Sequence, residues 1–307
     1  MRVLVTGAGG FVGRHLCEHL AAHDDQAIPI GWPASSPQDG TKSVDVTDAQ
    51  AVRDAVEAAR PDAVVHLAGL SSVAASHRDP SRTFAVNALG ALHVLAAVQQ
   101  VAPAARVLLV GSSEMYGTLE PGSRITEGSP LRPVSPYASS KVAAEVAGFQ
   151  FHRGRSLAVI SARPFNHVGR GQRTDFVVPS FAEQIASIRR GRTSPVLRVG
   201  NLDAVRDFSH VADVVEAYRL LLDCGEPGQA YNVCSGEARS IQSVLERMIE
   251  LAGVEVRIEV DPSRFRPSEL PYLVGDPAKL QRLGWRPSRT LDDALRDALA
   301  HAGSTLA

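Results

Sequence analysis

The chain is predicted to be an α/β protein: a doubly wound parallel sheet with helices on both faces and a smaller α/β unit toward the C-terminus. Three observations lead there. Short β-rich apolar runs alternate with helix-period stretches through the first half. A cluster of glycines stands directly between the first apolar run and the first helical pattern. After Arg163 the alternation weakens into short segments punctuated by Gly169, Gly171, Pro179, Gly191, Pro195 and Gly200. Parallel strands need crossover helices, so this alternation implies an open sheet covered on both sides.

In chain order, Val3-Leu4-Val5 reads as a strand, Phe11 to Ala22 as a helix, Ala27 to Ile30 as a strand and Ala49 to Ala59 as a helix. Ala63 to Leu67 is the next strand, Thr83 to Gln99 a helix and Arg106 to Val110 a strand. Ala138 to Gln150 and Leu157 to Ser161 add one more helix and strand. Two long connections, Trp32 to Gly40 and Gly117 to Pro136, are rich in turn residues, and long loops in a compact domain usually carry function. Residues 1–165 are expected to form the sheet unit, with segments near 205–234 returning to it, and residues 166–307 to form mainly the second unit. The stripe Val244, Leu245, Met248 and Leu251 is helical core packing.

Composition sets outer limits. A chain of 307 residues suits one large or two modest domains, and 44% hydrophobic with 21% charged residues excludes a disordered or rod-like chain. A formal net charge of -1 provides no global attraction to nucleic acid or to an anionic membrane. Of the 21 basic residues after position 150, 20 are arginine, the side chain that binds phosphate bidentately. Cys17, Cys224 and Cys234 are too scattered for a disulfide framework or metal site. No apolar run approaches the ~20 residues of a bilayer span, and the start has no signal-peptide layout. The expectation is a soluble cytoplasmic protein with no metal.

Gly7-Ala8-Gly9-Gly10-Phe11-Val12-Gly13 follows the first strand and opens a helix. Gly7 permits the tight turn, Gly10 lets backbone N–H groups approach a pyrophosphate, and Gly13 lets helix and strand pack closely. This is a dinucleotide loop in its required context. The second strand ends Pro29-Ile30-Gly31, without the acid that commonly holds the adenosine ribose. That favours a 2'-phosphate, hence NADP(H), with NAD(H) as the second possibility. Arg14 is the first candidate to meet it, and Lys42, Ser35 and Ser36 are looser ones. Asp45-Val46 is placed to meet the adenine edge.

Tyr137 and Lys141 are four residues apart and share one face of a helix. An ammonium beside a phenol stabilises the phenolate, so the pair can pass a proton to or from a carbinol oxygen. Gly111-Ser112-Ser113-Glu114-Met115-Tyr116-Gly117 follows one apolar strand and His66-Leu67-Ala68-Gly69 ends another. Both lie at the carboxyl edge of the sheet, where open α/β folds bind ligands.

These motifs, with Arg163-Pro164-Phe165-Asn166-His167-Val168-Gly169 downstream, resemble the extended short-chain dehydrogenase/reductases of the nucleotide-sugar epimerase/dehydratase type. The resemblance covers essentially the whole chain and implies a Rossmann-type fold. It also implies that Ser112, Tyr137 and Lys141 are the catalytic triad. Tyr137 would be the proton donor or acceptor, Ser112 would polarise the substrate oxygen, and Lys141 would hold the nicotinamide ribose. Phe11, Val12, Leu67, Ala68, Gly69 and Pro164 would line the cofactor.

Downstream, Asp175 to Ser180, Arg206-Asp207-Phe208, Arg266-Pro267-Ser268-Glu269 and Gly275-Asp276-Pro277 are similar to GDP-4-keto-6-deoxy-D-mannose reductases and slightly less to GDP-mannose 4,6-dehydratases. Carried over, Asn166 and Val178 would contact the sugar diphosphate. Arg198, Arg206 and Arg266 would meet phosphates or ribose, and Glu269 would accept from nucleotide hydroxyls. The reductase reading yields GDP-D-rhamnose. The dehydratase reading needs a carboxylate near the triad, and Glu114 occupies that place, although acids there also occur in the reductases. Against the dehydratase stand the glycine loop and the Asp175 to Ser180 segment, neither in dehydratase form. A UDP-sugar 4-epimerase would use the same triad but would prefer an acid after the second strand. A non-catalytic NADP-binding scaffold would keep the glycine loop and lose a triad member, whereas all three stand here. The resemblance further implies a homodimer through the helices following Thr83 and Tyr137. His66, His167 and His210 read as hydrogen-bonded core histidines.

Overall fold

A computed structural model describes residues 1–31, 42–118, 120, 122–264 and 270–305. Strands β1 (Arg2–Thr6), β2 (Gln26–Gly31), β3 (Lys42–Ser43), β4 (Ala63–His66), β5 (Arg106–Val110) and β6 (Ala158–Pro164) come from the first half. They are followed by β7 (Asn166–Val168), β8 (Val196–Val199), β9 (Val205–Arg206), β10 (Phe208–His210), β11 (Ala230–Val233), β12 (Arg239–Ser240), β13 (Arg257–Val260) and β14 (Tyr272–Leu273). One sheet runs β11-β6-β5-β4-β1-β2-β3, and every pairing in it is parallel. The strand order turns back beside β1, the switch point at which such sheets open a ligand crevice.

Apolar runs such as Val3-Leu4-Val5 and Val64-Val65 are buried on both faces, because helices cover each side. One core cluster joins Leu4, Val64, Val107 and Val159 to the helices Ala49–Ala59 and Pro80–Val101. The opposite cluster joins Val5, Val65, Leu108 and Ile160 to the helices Phe11–Ala22 and Val211–Cys224. A third core, built on the helices Val177–Arg189, Ile241–Ala252 and Leu291–Thr305, encloses Val244, Leu245 and Met248, with Leu251 packed at its margin.

Two helices extend beyond their expected ranges at both ends, for local reasons. The helix expected from Thr83 starts at Pro80, where Asp79 caps the Arg82 N–H and proline occupies the first turn. It continues to Val101 through a π-helical turn at Ala85–Leu89. By length and composition this helix could cross a membrane, contrary to the expectation that no stretch comes near. Val94, Leu95 and Val98 nevertheless bury its inner face in the core. The helix expected from Ala138 spans Pro136–Arg155, started by the Ser135 hydroxyl accepting from the Ala138 N–H and ended by Ser156 in the left-handed region.

Candidate active site

Glycine geometry shapes the nucleotide end. Gly7 has φ +70°, and a Cβ there would sit 2.7 Å from the Ala68 nitrogen, while a Cβ on Gly13 would overlap the Gly7 carbonyl. Gly10 begins the helix Phe11–Ala22 without a side-chain cap, and the first turn holds no acid. Its amides therefore suit an anion, as a dinucleotide pyrophosphate requires. The Thr6 hydroxyl accepts from the Ala68 N–H at 3.1 Å and lies 2.8 Å from His66 Nδ1, which fixes the Leu67-Ala68-Gly69 corner opposite the loop. Burial, with the nearby Lys141 charge, pushes the His66 imidazole down to about 3, so it is neutral.

Other nucleotide candidates are placed less directly. Arg14 donates to the Gly9 carbonyl at 2.8 Å and to the Gly171 carbonyl at 3.3 Å, so its guanidinium already bridges the glycine loop to the segment after β7. Phe11 stacks on His167 with centroids 6.0 Å apart, reinforcing that bridge. Val12 is half-buried at the start of the helix, and Pro164 is buried at the end of β6. Asp45 turns one carboxylate oxygen onto Thr47, whose N–H and hydroxyl both donate to it. Val46 is buried beneath Gly90. Ser35 and Ser36 lie outside the described residues, as does the Lys42 side chain.

At the chemical end, Ser112 caps the turn Ser113–Tyr116 by accepting from the Glu114 N–H at 3.2 Å. Tyr137 sits in the first turn of the helix Pro136–Arg155, and Lys141 lies one turn on. Ser112, Tyr137 and Lys141 are all buried. Burial pushes the Tyr137 phenol up to about 12; Glu114 adds to the rise, and a hydrogen bond to Ser112 opposes it. Burial also lowers the Lys141 ammonium to about 8, where it donates to the Val110 carbonyl at 2.7 Å. The three side chains thus meet at the carboxyl ends of β4 and β5.

The sequence did not single out Asn87, which lies in the π-helical turn. Its amide donates to the Leu70 carbonyl at 3.0 Å and the Ser140 hydroxyl at 2.9 Å, and its oxygen accepts from the Leu70 N–H. Ser140 in turn donates to the Tyr137 carbonyl at 2.7 Å. Asn87 therefore joins the corner after β4 to the helix that carries Tyr137. Its signal was present as a lone asparagine within a largely apolar helical stretch, with a glycine three residues later.

The substrate candidates divide. Arg206 is half-buried, donates to its neighbour's carbonyl at 2.9 Å, and feels the Glu114 carboxylate, which opposes the lowering of its pKa by burial. This puts it within electrostatic reach of Glu114. Asn166 is half-buried on β7, opposite Phe208. The side chain of Val178 is sealed in the third core, which leaves its backbone as the part a ligand can meet. Arg198 is exposed on β8, with its backbone N–H bonded to Gln184. Arg266 and Glu269 lie outside the described residues.

Half of the arginine surplus has a local explanation in ion pairs. Of the 20 arginines after residue 150, ten form ion pairs with carboxylates among the described residues, including Arg163–Glu145, Arg219–Asp25, Arg247–Asp292 and Arg289–Asp213. A groove of about 710 Å³ among helices of the C-terminal half is lined by several of these paired arginines and by no member of the triad.

Comparison with known proteins adds a family likeness. The family model described as GDP-mannose 4,6 dehydratase matches residues 4–298. GDP-6-deoxy-D-mannose reductase from Pseudomonas aeruginosa is 39% identical over 301 residues, 97% of this chain and 96% of the relative. The structure of RMD from Pseudomonas aeruginosa complexed with NADPH has a TM-score of 0.90 at 36% identity, covering 99% of this chain and 100% of that chain. UDP-glucose 4-epimerase from Thermus thermophilus, in complex with NAD, has a TM-score of 0.86 at 33% identity, with 98% and 99% covered.

Proposed function

This chain belongs to the GDP-mannose 4,6 dehydratase family of extended short-chain dehydrogenase/reductases, and from that premise we propose that it reduces GDP-4-keto-6-deoxy-D-mannose to GDP-D-rhamnose. NAD(P) is the cofactor class, and NADPH is the proposed form. The observation that carries this reading is the likeness to a reductase through 97% of this chain and 96% of the relative. The related NADPH complex and the sequence Pro29-Ile30-Gly31, without an acid, support the choice of phosphate-bearing cofactor.

The reduced nicotinamide, when bound, supplies the hydride to C4 of the sugar. The remaining work falls to side chains. Tyr137, raised to about 12, holds its proton at neutral pH and can give it to the C4 oxygen. The Lys141 ammonium stabilises the phenolate left behind, and Ser112 donates a hydrogen bond to the same sugar oxygen. Proton transfer of this kind contributes about 10²- to 10⁴-fold. Glu114 would be the dehydratase's acid–base group, but acids at this position also occur in the reductases, so it does not decide between the two.

Residues 1–165, with the returning stretch near 205–234, are assigned to cofactor binding, and residues 166–307 mainly to the sugar nucleotide. Asn166, Val178 through its backbone, Arg198, Arg206, Arg266 and Glu269 are its proposed contacts. The assembly is proposed to be a homodimer, because Phe84, Leu89 and Leu92 on one helix and Val146 and Phe149 on its neighbour are exposed apolar side chains. Free cysteines at positions 17, 224 and 234 accord with a reducing cytoplasm.

The test is a pair of incubations: GDP-4-keto-6-deoxy-D-mannose with NADPH or NADH, and GDP-mannose with NADP⁺. Cofactor oxidation with a 6-deoxyhexose product in the first supports the reductase. Water loss from GDP-mannose in the second overturns it in favour of the dehydratase.

A further inference from the structure

The two halves of the triad come from different elements. Ser112 precedes the turn Ser113–Tyr116, whereas Tyr137 and Lys141 lie on the helix Pro136–Arg155, beyond a long loop. Such a loop cannot set the separation of two hydroxyls to a fraction of an ångström. Something in the fold must hold turn and helix in register.

Arg163, on β6, spans that gap from below. Its Nε donates to Glu145 Oε2 at 2.9 Å and its Nη2 to Glu145 Oε1, a two-toothed fork onto the catalytic helix. Glu145 stands four residues after Lys141 and eight after Tyr137, so the three share one stripe. The Nη1 atom donates to the Tyr116 hydroxyl at 2.8 Å and to the Glu127 carbonyl at 3.1 Å. Tyr116, fully buried, closes the turn that Ser112 opens, and its hydroxyl donates to Asn232 Oδ1 at 2.6 Å.

We infer that Arg163, bound through Glu145 to the helix and through Tyr116 to the turn, is a positioning clamp that sets the Ser112–Tyr137 geometry for the proton transfer. The clamp itself touches no reacting atom. Arg163 and Glu145 line a separate cavity of about 410 Å³ that includes no triad residue. Stability alone is a weak explanation for it, since replacing a buried ion pair by apolar packing is often neutral or stabilising. A planar fork, by contrast, constrains direction as well as distance.

The inference rests on the triad-dependent chemistry proposed above. The assay is whichever nucleotide-sugar oxidoreduction the wild type performs, so its failure is separate from a wrong substrate. Tyr116→Phe removes one hydroxyl, Glu145→Gln replaces one fork acceptor by a donor, and Arg163→Lys removes the fork. Each is expected to lower kcat per cofactor-binding site roughly 10- to 100-fold, the cost of a small misplacement, with cofactor Kd and substrate KM unchanged. In a Ser112→Ala background the same substitutions should have little further effect, because the geometry they disturb is already lost. Unchanged kcat per site in Tyr116→Phe and Glu145→Gln overturns the clamp. So do effects that multiply with Ser112→Ala, since they would mean a structural role independent of the hydroxyl pair.

Discussion

Lys141 directs its ammonium at the carbonyl of Val110, 2.7 Å away, tying the catalytic helix to the strand end immediately before Ser112. Burial brings this lysine down to about 8, within reach of ordinary assay conditions. In the proposed mechanism the charged form is the one that stabilises the phenolate left on Tyr137. Its benefit is present at lower pH and lost as pH rises through that value. The kcat for ketone reduction is therefore expected to fall tenfold per pH unit above about 8, and Lys141→Met is expected to remove this limb together with most activity. A pH–rate profile that stays flat to about 10 would show that Lys141 carries no charge-dependent role.

Tyr137→Phe removes the transferable proton and leaves the ring in place. Turnover is expected to drop by about 10²- to 10⁴-fold, while cofactor Kd from fluorescence titration changes less than about twofold. If more than a few per cent of kcat survives, the proton comes from elsewhere.

Period and punctuation made most of the fold legible. Val3-Leu4-Val5, the glycines and Phe11 to Ala22 could be read as strand, turn and helix because each local preference agrees with the global answer. The same agreement placed Tyr137 and Lys141 on one helical face. Asn87 and Arg163 were harder, since their roles depend on partners at Ser140, Glu145 and Tyr116 that no local pattern reveals. Val178 was read from its motif as a contact, and the sequence did not show that its side chain fills a core and leaves only the backbone for that role. Arginine counts were uninformative for a related reason, because composition does not show which carboxylate each guanidinium meets.

Arg206→Ala should weaken the binding of a GDP-sugar by about 1.5–3 kcal/mol, the value of a charged hydrogen-bonded contact. Removing this cation beside Glu114 also leaves that carboxylate unbalanced near Tyr137. The Tyr137 pKa should then rise further, and proton donation should slow as well. Calorimetry with GDP, a fragment lacking the sugar, separates the two effects. An unchanged Kd for GDP would remove Arg206 from the diphosphate site.

Gly13→Ala tests the loop by crowding it. The added methyl would collide with the Gly7 carbonyl and the backbone of Ala8, so the loop must shift to accept it. Gly7 itself lies against Ala68, and the shift would carry into the cofactor corner. Cofactor affinity is expected to fall at least tenfold (~1.4 kcal/mol) with the sheet retained. Circular dichroism checks the fold and titration with NADPH and NADH checks the loop; wild-type affinity for both would remove the pyrophosphate assignment.

The dimer proposal rests on two helices whose inner faces are already committed to the core. On Pro80–Val101, Val94, Leu95 and Val98 face inward, while Phe84, Leu89 and Leu92 stay 39%, 43% and 39% exposed. On Pro136–Arg155, Val146 and Phe149 are 59% and 55% exposed. Leaving five such side chains in water on adjacent helices is unfavourable by about 25 cal/mol for each Å² that a partner could cover. A second copy packed through the same helices would cover them by a two-fold axis. Phe149→Glu combined with Leu89→Lys places charges in that interface, and the pair should shift the protein to monomer in sedimentation velocity at micromolar concentration. Cofactor Kd should stay near wild type, because neither residue belongs to the proposed nucleotide site. A wild-type chain that already sediments as a monomer, or a variant that still dimerises, would rule out these helices as the interface.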